Sequence, residues 1–160
     1  MKKKITFVLS YMLVIIILLG CTTTVSNREE KKIKETIDYV LSYDKGYYEN
    51  INKKISEVNF YVCNYVTFYS LYLGDSVLEK YESTIKHITK DDGKYTVYMT
   101  LDMVAKAKEV HGEEEKKDEA EGKDVPVQIV LSKNSDGYHI DSFKEYESLE
   151  KAIESNANFK

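Results

Sequence analysis

The residues that could do chemistry are few: two cysteines and three histidines, with scattered carboxylates, in a chain of 160 residues. The histidines His87, His111 and His139 never stand at the spacing of a metal-binding pair, so a metal site would need ligands from separate elements. Cys63 has no histidine or cation close in sequence, which favours a buried, inert thiol over a reactive one. The chain also lacks a glycine-rich phosphate loop, a Cys-x-x-Cys pair and a serine nucleophile elbow. We therefore expect neither a metal nor a cofactor.

The first 21 residues hold the most specific pattern in the chain. Three lysines at positions 2–4 precede an apolar run over residues 5–19, which ends in Leu18-Leu19-Gly20-Cys21. The run is shorter than the roughly 20 residues that a membrane-spanning helix needs. A cationic start and a short apolar core are typical of a removable export signal. The alternative is an ordinary signal peptide, or an uncleaved anchor, that happens to contain a cysteine.

This ending resembles the lipobox of bacterial lipoproteins, in which an aliphatic residue and a small residue precede the lipidated cysteine. The resemblance implies cleavage between Gly20 and Cys21 and a diacylglyceryl group on the Cys21 thiol. Leu19 is bulkier than the residue usual at its position. Two fatty acyl chains, such as palmitate, anchor a protein durably. We therefore predict a signal-peptide helix over residues 1–20, a lipidated tether over residues 21–27, and a location on the outer face of the cytoplasmic membrane.

The predicted mature protein is acidic and long enough for one domain. All 27 acidic residues but only 20 of the 23 basic ones lie after residue 20, which leaves a net charge of about −7. Nucleic-acid binding depends on neutralising phosphates, so we expect no nucleic acid as a partner. An acidic domain should also be held off anionic lipid by its tether. With Cys21 lipidated, Cys63 has no cysteine left for a disulfide.

Helical patterns fill the chain up to Gly74. A capping box, Ser26-x-x-Glu29, begins an apolar stripe that runs to Leu41, and Gly46 is a predicted stop or kink. Residues 47–58 indicate a second, shorter helix. Residues 58–73 are apolar nearly all round, which predicts a buried helix; the alternative is that its aromatic stripe lines a ligand pocket. The aromatic side chains of this third helix are Tyr61, Tyr65, Phe68, Tyr69 and Tyr72.

After residue 74 the apolar period changes to alternation, which predicts antiparallel strands joined by tight turns. Residues 106–124 are densely charged and predict a solvated hairpin loop; a docking function for this loop is the alternative. Residues 148–160 indicate a tail or a short helix that frays. The predicted strands are 83–88, 95–105, 125–131 and 138–141, with turns at 91–93 and 134–137.

Three helices followed by a four-stranded meander that ends in Asp136-Gly137-Tyr138-His139-Ile140-Asp141 resemble the cystatin-like cone of the nuclear transport factor 2-like superfamily. That superfamily includes many small lipoproteins of Gram-positive bacteria. The resemblance covers residues 28–147 and implies an α+β fold, with a curved sheet wrapped around the helices and an open cavity. Its enzymes, among them isomerases and dehydratases, place an Asp or His in the cone, often with a Tyr.

Carried onto this chain, that pattern makes Asp102, Asp141, His139 and Tyr98 candidate pocket residues. Asp102 shares its strand face with Tyr98, opposite Met99 and Leu101. Because the apolar side should face the helices, we expect Asp102 to point outward. His139 and Asp141 likewise share one face and favour an exposed polar pair.

The leading hypothesis is a non-enzymatic, membrane-anchored extracytoplasmic lipoprotein that binds another envelope protein or a small apolar ligand. One alternative is a cone-pocket enzyme of the isomerase or dehydratase type that uses Asp102 or Asp141 with a Tyr. Another is an accessory or immunity lipoprotein of a mobile element or secretion system. The lack of a catalytic motif favours the first.

Overall fold

A computed structural model describes residues 25–108 and 119–160. The predicted signal peptide and lipobox, including Gly20 and Cys21, lie outside these ranges, as does His111. The helices are α1 (Asn27–Leu41), α2 (Glu49–Asn52), α3 (Glu57–Cys63), α4 (Tyr65–Leu73) and α5 (Leu149–Ser155), followed by a 3-10 turn η1 (Ala157–Phe159). The strands are β1 (Ser76–Asp91), β2 (Lys94–Ala107), β3 (Glu119–Asn134) and β4 (Gly137–Glu145).

Helix α1 is an amphipathic helix with the start that its sequence indicates. The Ser26 hydroxyl accepts a hydrogen bond from the Glu29 N–H at 3.3 Å, which satisfies one of the free donors at the helix start. The capping box is therefore confirmed. The helix ends at Leu41, and Gly46 (φ +74°) lies in the following loop. The apolar stripe is completely buried and comprises Ile33, Ile37, Val40 and Leu41.

The prediction of one buried helix over residues 58–73 is wrong, because the helix breaks at Asn64. The Asn64 backbone is extended (φ −79°, ψ 113°). Its side-chain oxygen accepts the Thr67 N–H at 2.8 Å, and its side-chain nitrogen donates to the carbonyls of Val40 and Tyr43 at 2.9 Å. Asparagine side chains that bond to backbone groups compete with helix continuation. The second predicted helix is also shorter than expected, at four residues in α2.

The four strands form one antiparallel sheet in the order β1-β2-β3-β4. The β1–β2 turn places Asp92 and Gly93 at φ of 44° and 75°, and two positive φ values are typical of the type I′ hairpin turn. The inner face of the sheet packs on the helices. The predicted α+β class, with helices on a four-stranded antiparallel meander, is confirmed. The fully buried inner residues include Val97, Met99, Leu101, Val127, Ile129, Leu131 and Ile140.

The strands extend into the region predicted to be a charged loop. Lys106 pairs with Glu119 across β2 and β3, so 106–107 and 119–124 belong to the sheet and not to a loop. The Lys106 ammonium lies 2.7 Å from the Glu79 carboxylate and 3.7 Å from that of Glu119. Opposite charges on neighbouring strands support pairing, which explains how so charged a segment joins the sheet. Residues 109–118 lie outside the described ranges.

The outer face of the sheet is covered by the C-terminal segment. The Phe159 ring lies 5.3 Å from that of Tyr98 and 5.0 Å from that of Tyr146, in edge-on contacts. Tyr98 is 7% exposed and Phe159 is 1% exposed. The expectation that the chain frays after its short terminal helix is therefore wrong, because burying an aromatic ring holds the segment in place.

Candidate binding surface

An apolar surface covers the side of α3 and α4 that points away from the sheet, and we call it the aromatic face. Monomeric soluble proteins rarely leave large contiguous apolar patches uncovered, and such patches mark interaction sites. The aromatic face consists of Val58 (75% exposed), Tyr61 (55%), Val62 (64%), Phe68 (44%), Leu71 (79%) and Tyr72 (72%).

The aromatic face exists because α3 and α4 are apolar on both sides. Their inner sides are buried against the core through Phe60, Cys63, Tyr65 and Tyr69. On the outer side, α4 has no charged residue and α3 has only Glu57. No described element lies over this side, so the sequence pattern that predicted burial produces an exposed surface.

A groove of about 200 Å³ joins the two halves of the aromatic face to the edge strand β4. Phe143 forms part of one wall. The Glu145 carboxylate at its rim accepts a hydrogen bond from the Tyr65 hydroxyl at 2.6 Å. Among the described residues, no lysine or arginine nitrogen comes within 4 Å of that carboxylate. The groove therefore combines aromatic walls with one negative charge that has no cation. It is lined by Val62, Cys63, Tyr65, Phe68, Phe143 and Glu145.

Cys63 sits at the bottom of this groove as a packed thiol. It is 2% exposed, and burial raises its pKa to about 12. A thiol must lose its proton to act as a nucleophile, so Cys63 is inert near neutral pH. Burial, followed by the hydrogen bond to Glu145, also raises the pKa of Tyr65. The raised pKa values keep both groups protonated near neutral pH, so neither Cys63 nor Tyr65 gives the groove a nucleophile or a base.

Two of the candidate residues from the sequence, Asp102 and Tyr98, lie on the outer side of the sheet. Asp102 stands at a bulge in the β2–β3 pairing, where its carboxylate accepts the Asp124 N–H at 2.7 Å. Asp124 has a positive φ of 49°, so this hydrogen bond holds a strained backbone turn. Tyr98 lies under Phe159. The structure does not bring Asp102 and Tyr98 into a hydrogen bond.

His139 and Asp141 do come together, with 3.2 Å between the His139 Nδ1 and the Asp141 carboxylate. The Ser132 hydroxyl donates to the same carboxylate oxygen at 2.9 Å, and the Lys94 ammonium lies 3.8 Å from the other oxygen. An activated serine needs a histidine on its hydroxyl, whereas here the carboxylate stands between Ser132 and His139. The cluster is a partly exposed polar network on the sheet.

The sequence suggested an Asp–Tyr pair at Asp102 or Asp141. The structure has such a pair between α1 and β1 instead. The Asp38 carboxylate accepts hydrogen bonds from the Ser83 hydroxyl at 2.5 Å and the Tyr81 hydroxyl at 3.2 Å. The Lys34 ammonium donates to it at 2.6 Å. Burial, followed by the Asp38 charge, raises the pKa of Tyr81. The carboxylate is fully partnered, so the cluster ties α1 to β1. Its only sequence signal is the i,i+4 spacing of Lys34 and Asp38.

Comparison with known proteins finds similarity in the backbone fold only. Neither a protein-family model nor a curated protein matches the chain. Among solved structures, a designed NTF2-like protein is similar over 73% of this chain and 99% of its own, with a TM-score of 0.44 and 12% identity. The intermembrane space region of the chloroplast protein ARC6 is similar over 78% of this chain and 99% of its own, with a TM-score of 0.46 and 14% identity. At these values neither likeness bears on function.

The described residues hold neither a metal-binding cluster nor a helix that could span a membrane. They contain no group of three or more histidine, cysteine or acidic side chains arranged to hold a metal ion. None of their helices combines the length and the apolarity that crossing a bilayer requires. The aromatic face remains the feature that most needs a functional explanation.

Proposed function

We propose that this chain is a lipid-anchored binding module on the outer face of the cytoplasmic membrane, which holds a partner protein through the aromatic face. The observation that carries the proposal is the exposure of six large apolar side chains on α3 and α4. The anchor is supported by the lipobox at residues 18–21. The module works by apolar contact and needs no catalytic group.

The dimensions of the surface favour a protein over a small apolar ligand. Pockets that enclose small ligands have volumes of roughly 300–1,000 Å³, whereas the groove beside Phe143 has about 200 Å³. Leu71 and Tyr72 project outside the groove and are more than 70% exposed. A side chain of a partner fits the groove, and the surface of that partner can cover Leu71 and Tyr72. Such a core of aromatic contacts is typical of protein interfaces.

The aromatic face extends toward the end of the sheet that is farther from the predicted anchor. The start of α1 lies at one end, where the Tyr95 hydroxyl donates to Glu29. The Tyr69 hydroxyl on α4 lies beside Gly122 and Met103 at the other end. Tyr95 and Met103 are eight residues apart on β2, or about 26 Å. A tether at residues 21–26 would therefore place the α4 part of the aromatic face, which includes Leu71 and Tyr72, at the end of the sheet away from the anchored lipid.

The charges around the face define the chemistry of the partner. Glu57 is the one charged residue of α3 and α4, and Glu145 at the groove has no cation within 4 Å among the described residues. The net charge of about −7 after residue 20 has the same sign. Complementary charge steers association and fixes the register of an interface. We therefore propose a partner segment that carries apolar side chains next to at least one lysine or arginine.

Photo-crosslinking of the full chain in its source cells tests this function. A photoreactive residue at Leu71 is compared with one at Glu150, an exposed position on α5. We expect Leu71 to yield one discrete protein adduct that Glu150 does not. The adduct should map to an apolar segment with a basic residue, and Glu145→Lys should reduce its yield at least about tenfold.

Three other results would overturn the assignment. An adduct of twice the chain's mass would make the aromatic face a contact between copies. Crosslinking to lipid alone would make it a membrane-binding surface. An adduct whose yield is unchanged by Glu145→Lys would remove the proposed basic partner.

A further inference from the structure

A second cavity, at the opposite end of the molecule from α4, has the features of an anion site. This cleft has a volume of about 620 Å³, within the usual range for small-ligand sites. It lies between α1, the segment before α3 and the β3–β4 turn. Four cationic side chains line it: Arg28, Lys32, Lys54 and Lys133.

Most of the positive charge in this cleft is not neutralised. Lys133 lies 3.8 Å from Glu29, one of the two acids in the lining. Glu29 is already engaged by the Tyr95 hydroxyl at 3.0 Å and by Lys90 at 3.7 Å. The tyrosine hydrogen bond and the two lysines lower the pKa of Glu29. Glu35, the second acid, lies 3.9 Å from Lys31. Of the four cations that line the cleft, Arg28, Lys32 and Lys54 have no carboxylate within 4 Å among the described residues.

A buried hydroxyl on the cleft wall also has no partner. Tyr138 lines the cleft and is 4% exposed, and its hydroxyl finds no hydrogen-bond partner among the described residues. Buried polar groups in folded proteins are nearly always hydrogen-bonded, so this hydroxyl is a donor beside the cleft that has yet to be satisfied. Burial raises the pKa of Tyr138 to about 12. The hydroxyl therefore keeps its proton and can donate it to an anion.

The start of α1 offers further hydrogen-bond donors, beside the acidic Glu29 and Glu30 of its first turn. This helix of 15 residues begins at Asn27, and Ser26, Arg28 and Glu29 of its first turn line the cleft. The free N–H groups and the dipole at a helix start favour an anion. Ser26 satisfies one of these donors by accepting the Glu29 N–H, and the remainder point toward the tether end.

We infer that this cleft binds a phosphate-bearing anion, either the headgroup of a membrane lipid or a soluble phosphate ester. Arg28 can hold two phosphate oxygens with its planar fork, while Lys32 and Lys54 supply point charges. The Tyr138 hydroxyl, which is closed to solvent in the free protein, supplies a neutral donor once the cleft wall adjusts to the anion. Ser26 is five residues after Cys21, at most about 18 Å along an extended chain, so a lipidated Cys21 places lipid headgroups within reach. The inference does not depend on the aromatic face.

Lysine protection in the full lipidated chain tests the inference and separates the two sources. Acetylation rates of Lys32 and Lys54 are measured by mass spectrometry, with the exposed Lys86 on β1 as internal control. One arm adds glycerol phosphate or inorganic phosphate to protein in neutral detergent. The other reconstitutes the protein into phosphatidylglycerol or phosphatidylcholine vesicles. We expect an anion to slow acetylation of Lys32 and Lys54 by at least about threefold, with Lys86 unchanged.

Two variants connect the protection to the cleft. Arg28→Gln removes the fork, and Tyr138→Phe removes only the buried hydroxyl. Both should lower the protection, whereas Lys86→Gln should leave it intact. Protection by soluble phosphate identifies a soluble ligand, and protection only in phosphatidylglycerol vesicles identifies a headgroup. Equal rates in every condition, or protection that neither variant lowers, would overturn the inference.

Discussion

Helices α1 and α4 both bury apolar side chains against the same sheet, yet their outer sides differ. The outer side of α1 carries charged residues such as Lys31 and Glu35. The outer side of α4 carries Leu71 and Tyr72, which are 79% and 72% exposed. A helix that only needs to fold has the pattern of α1, because a polar outer side is solvated at no cost. The pattern of α4 goes beyond what the fold requires.

Burial in the monomer cannot account for this excess. Removing apolar area from water stabilises a protein by about 25 cal/mol per Å², but an exposed side chain gains none of it. Leu71 and Tyr72 therefore contribute little to the free energy of folding, and in the proposed function they contribute to that of binding a partner. The two helices therefore differ in which positions stabilise the monomer and which are free to contact a partner. Mutations at both kinds of position test this difference.

The largest expected effect on stability is at the buried stripe of α1. Ile37 is completely buried in the main core, so Ile37→Ala should lower the free energy of unfolding by about 2–5 kcal/mol. Leu71→Ala, the matched change on α4, should alter it by less than about 0.5 kcal/mol. Urea denaturation of both variants measures the two values. If Leu71→Ala is as destabilising as Ile37→Ala, the aromatic face is covered within the chain and the contrast fails.

An intermediate effect is expected at Asn64, which connects the two helices. Asn64→Ala removes the cap of α4 and leaves the carbonyls of Val40 and Tyr43 without their donor. Losing a cap and buried hydrogen bonds should cost roughly 2 kcal/mol. Ser56→Ala, which removes the exposed cap of α3, should cost less, about 1 kcal/mol. Equal costs in urea denaturation would show that Asn64 acts only as a local cap.

The smallest effect on neutral stability concerns Cys63, on the buried side of α3. The pKa of the Cys63 thiol is about 12 in the folded protein, above its ordinary value of 9.0. The contribution of the buried thiol to the free energy of unfolding is therefore complete below pH 9 and is lost as the pH rises toward 12. In Cys63→Ala, the free energy of unfolding should fall less between about pH 9 and about pH 12 than in the unchanged protein. At pH 8, Cys63 should react with iodoacetamide roughly a hundredfold slower in the folded chain than in urea. Equal labelling rates would contradict its burial.

Part of the fold follows from patterns that extend over only a few residues. Ser26 and Glu29 determine where α1 begins, the stripe that includes Ile37 determines which side of it is buried, and Asp92-Gly93 determines the β1–β2 hairpin. The α+β class could be predicted because turn chemistry and side-chain period depend on neighbours in sequence. The lipobox at residues 18–21 is likewise a local motif, and its function remains a prediction.

The candidate sites could not be predicted in this way, because each depends on what lies across from it. The apolar composition of residues 58–73 predicted a core helix, and only the tertiary structure leaves Leu71 without a covering layer. Tyr98, a candidate pocket residue by resemblance, instead lies on the outer side of the sheet, where Phe159 covers it. The cleft brings Arg28, Lys54 and Tyr138 together from distant parts of the chain. The sequence by itself therefore determined local conformation and the class of the fold. Only the tertiary structure decided which apolar side chains are exposed and which charges converge, because burial and electrostatic potential depend on contacts between distant segments.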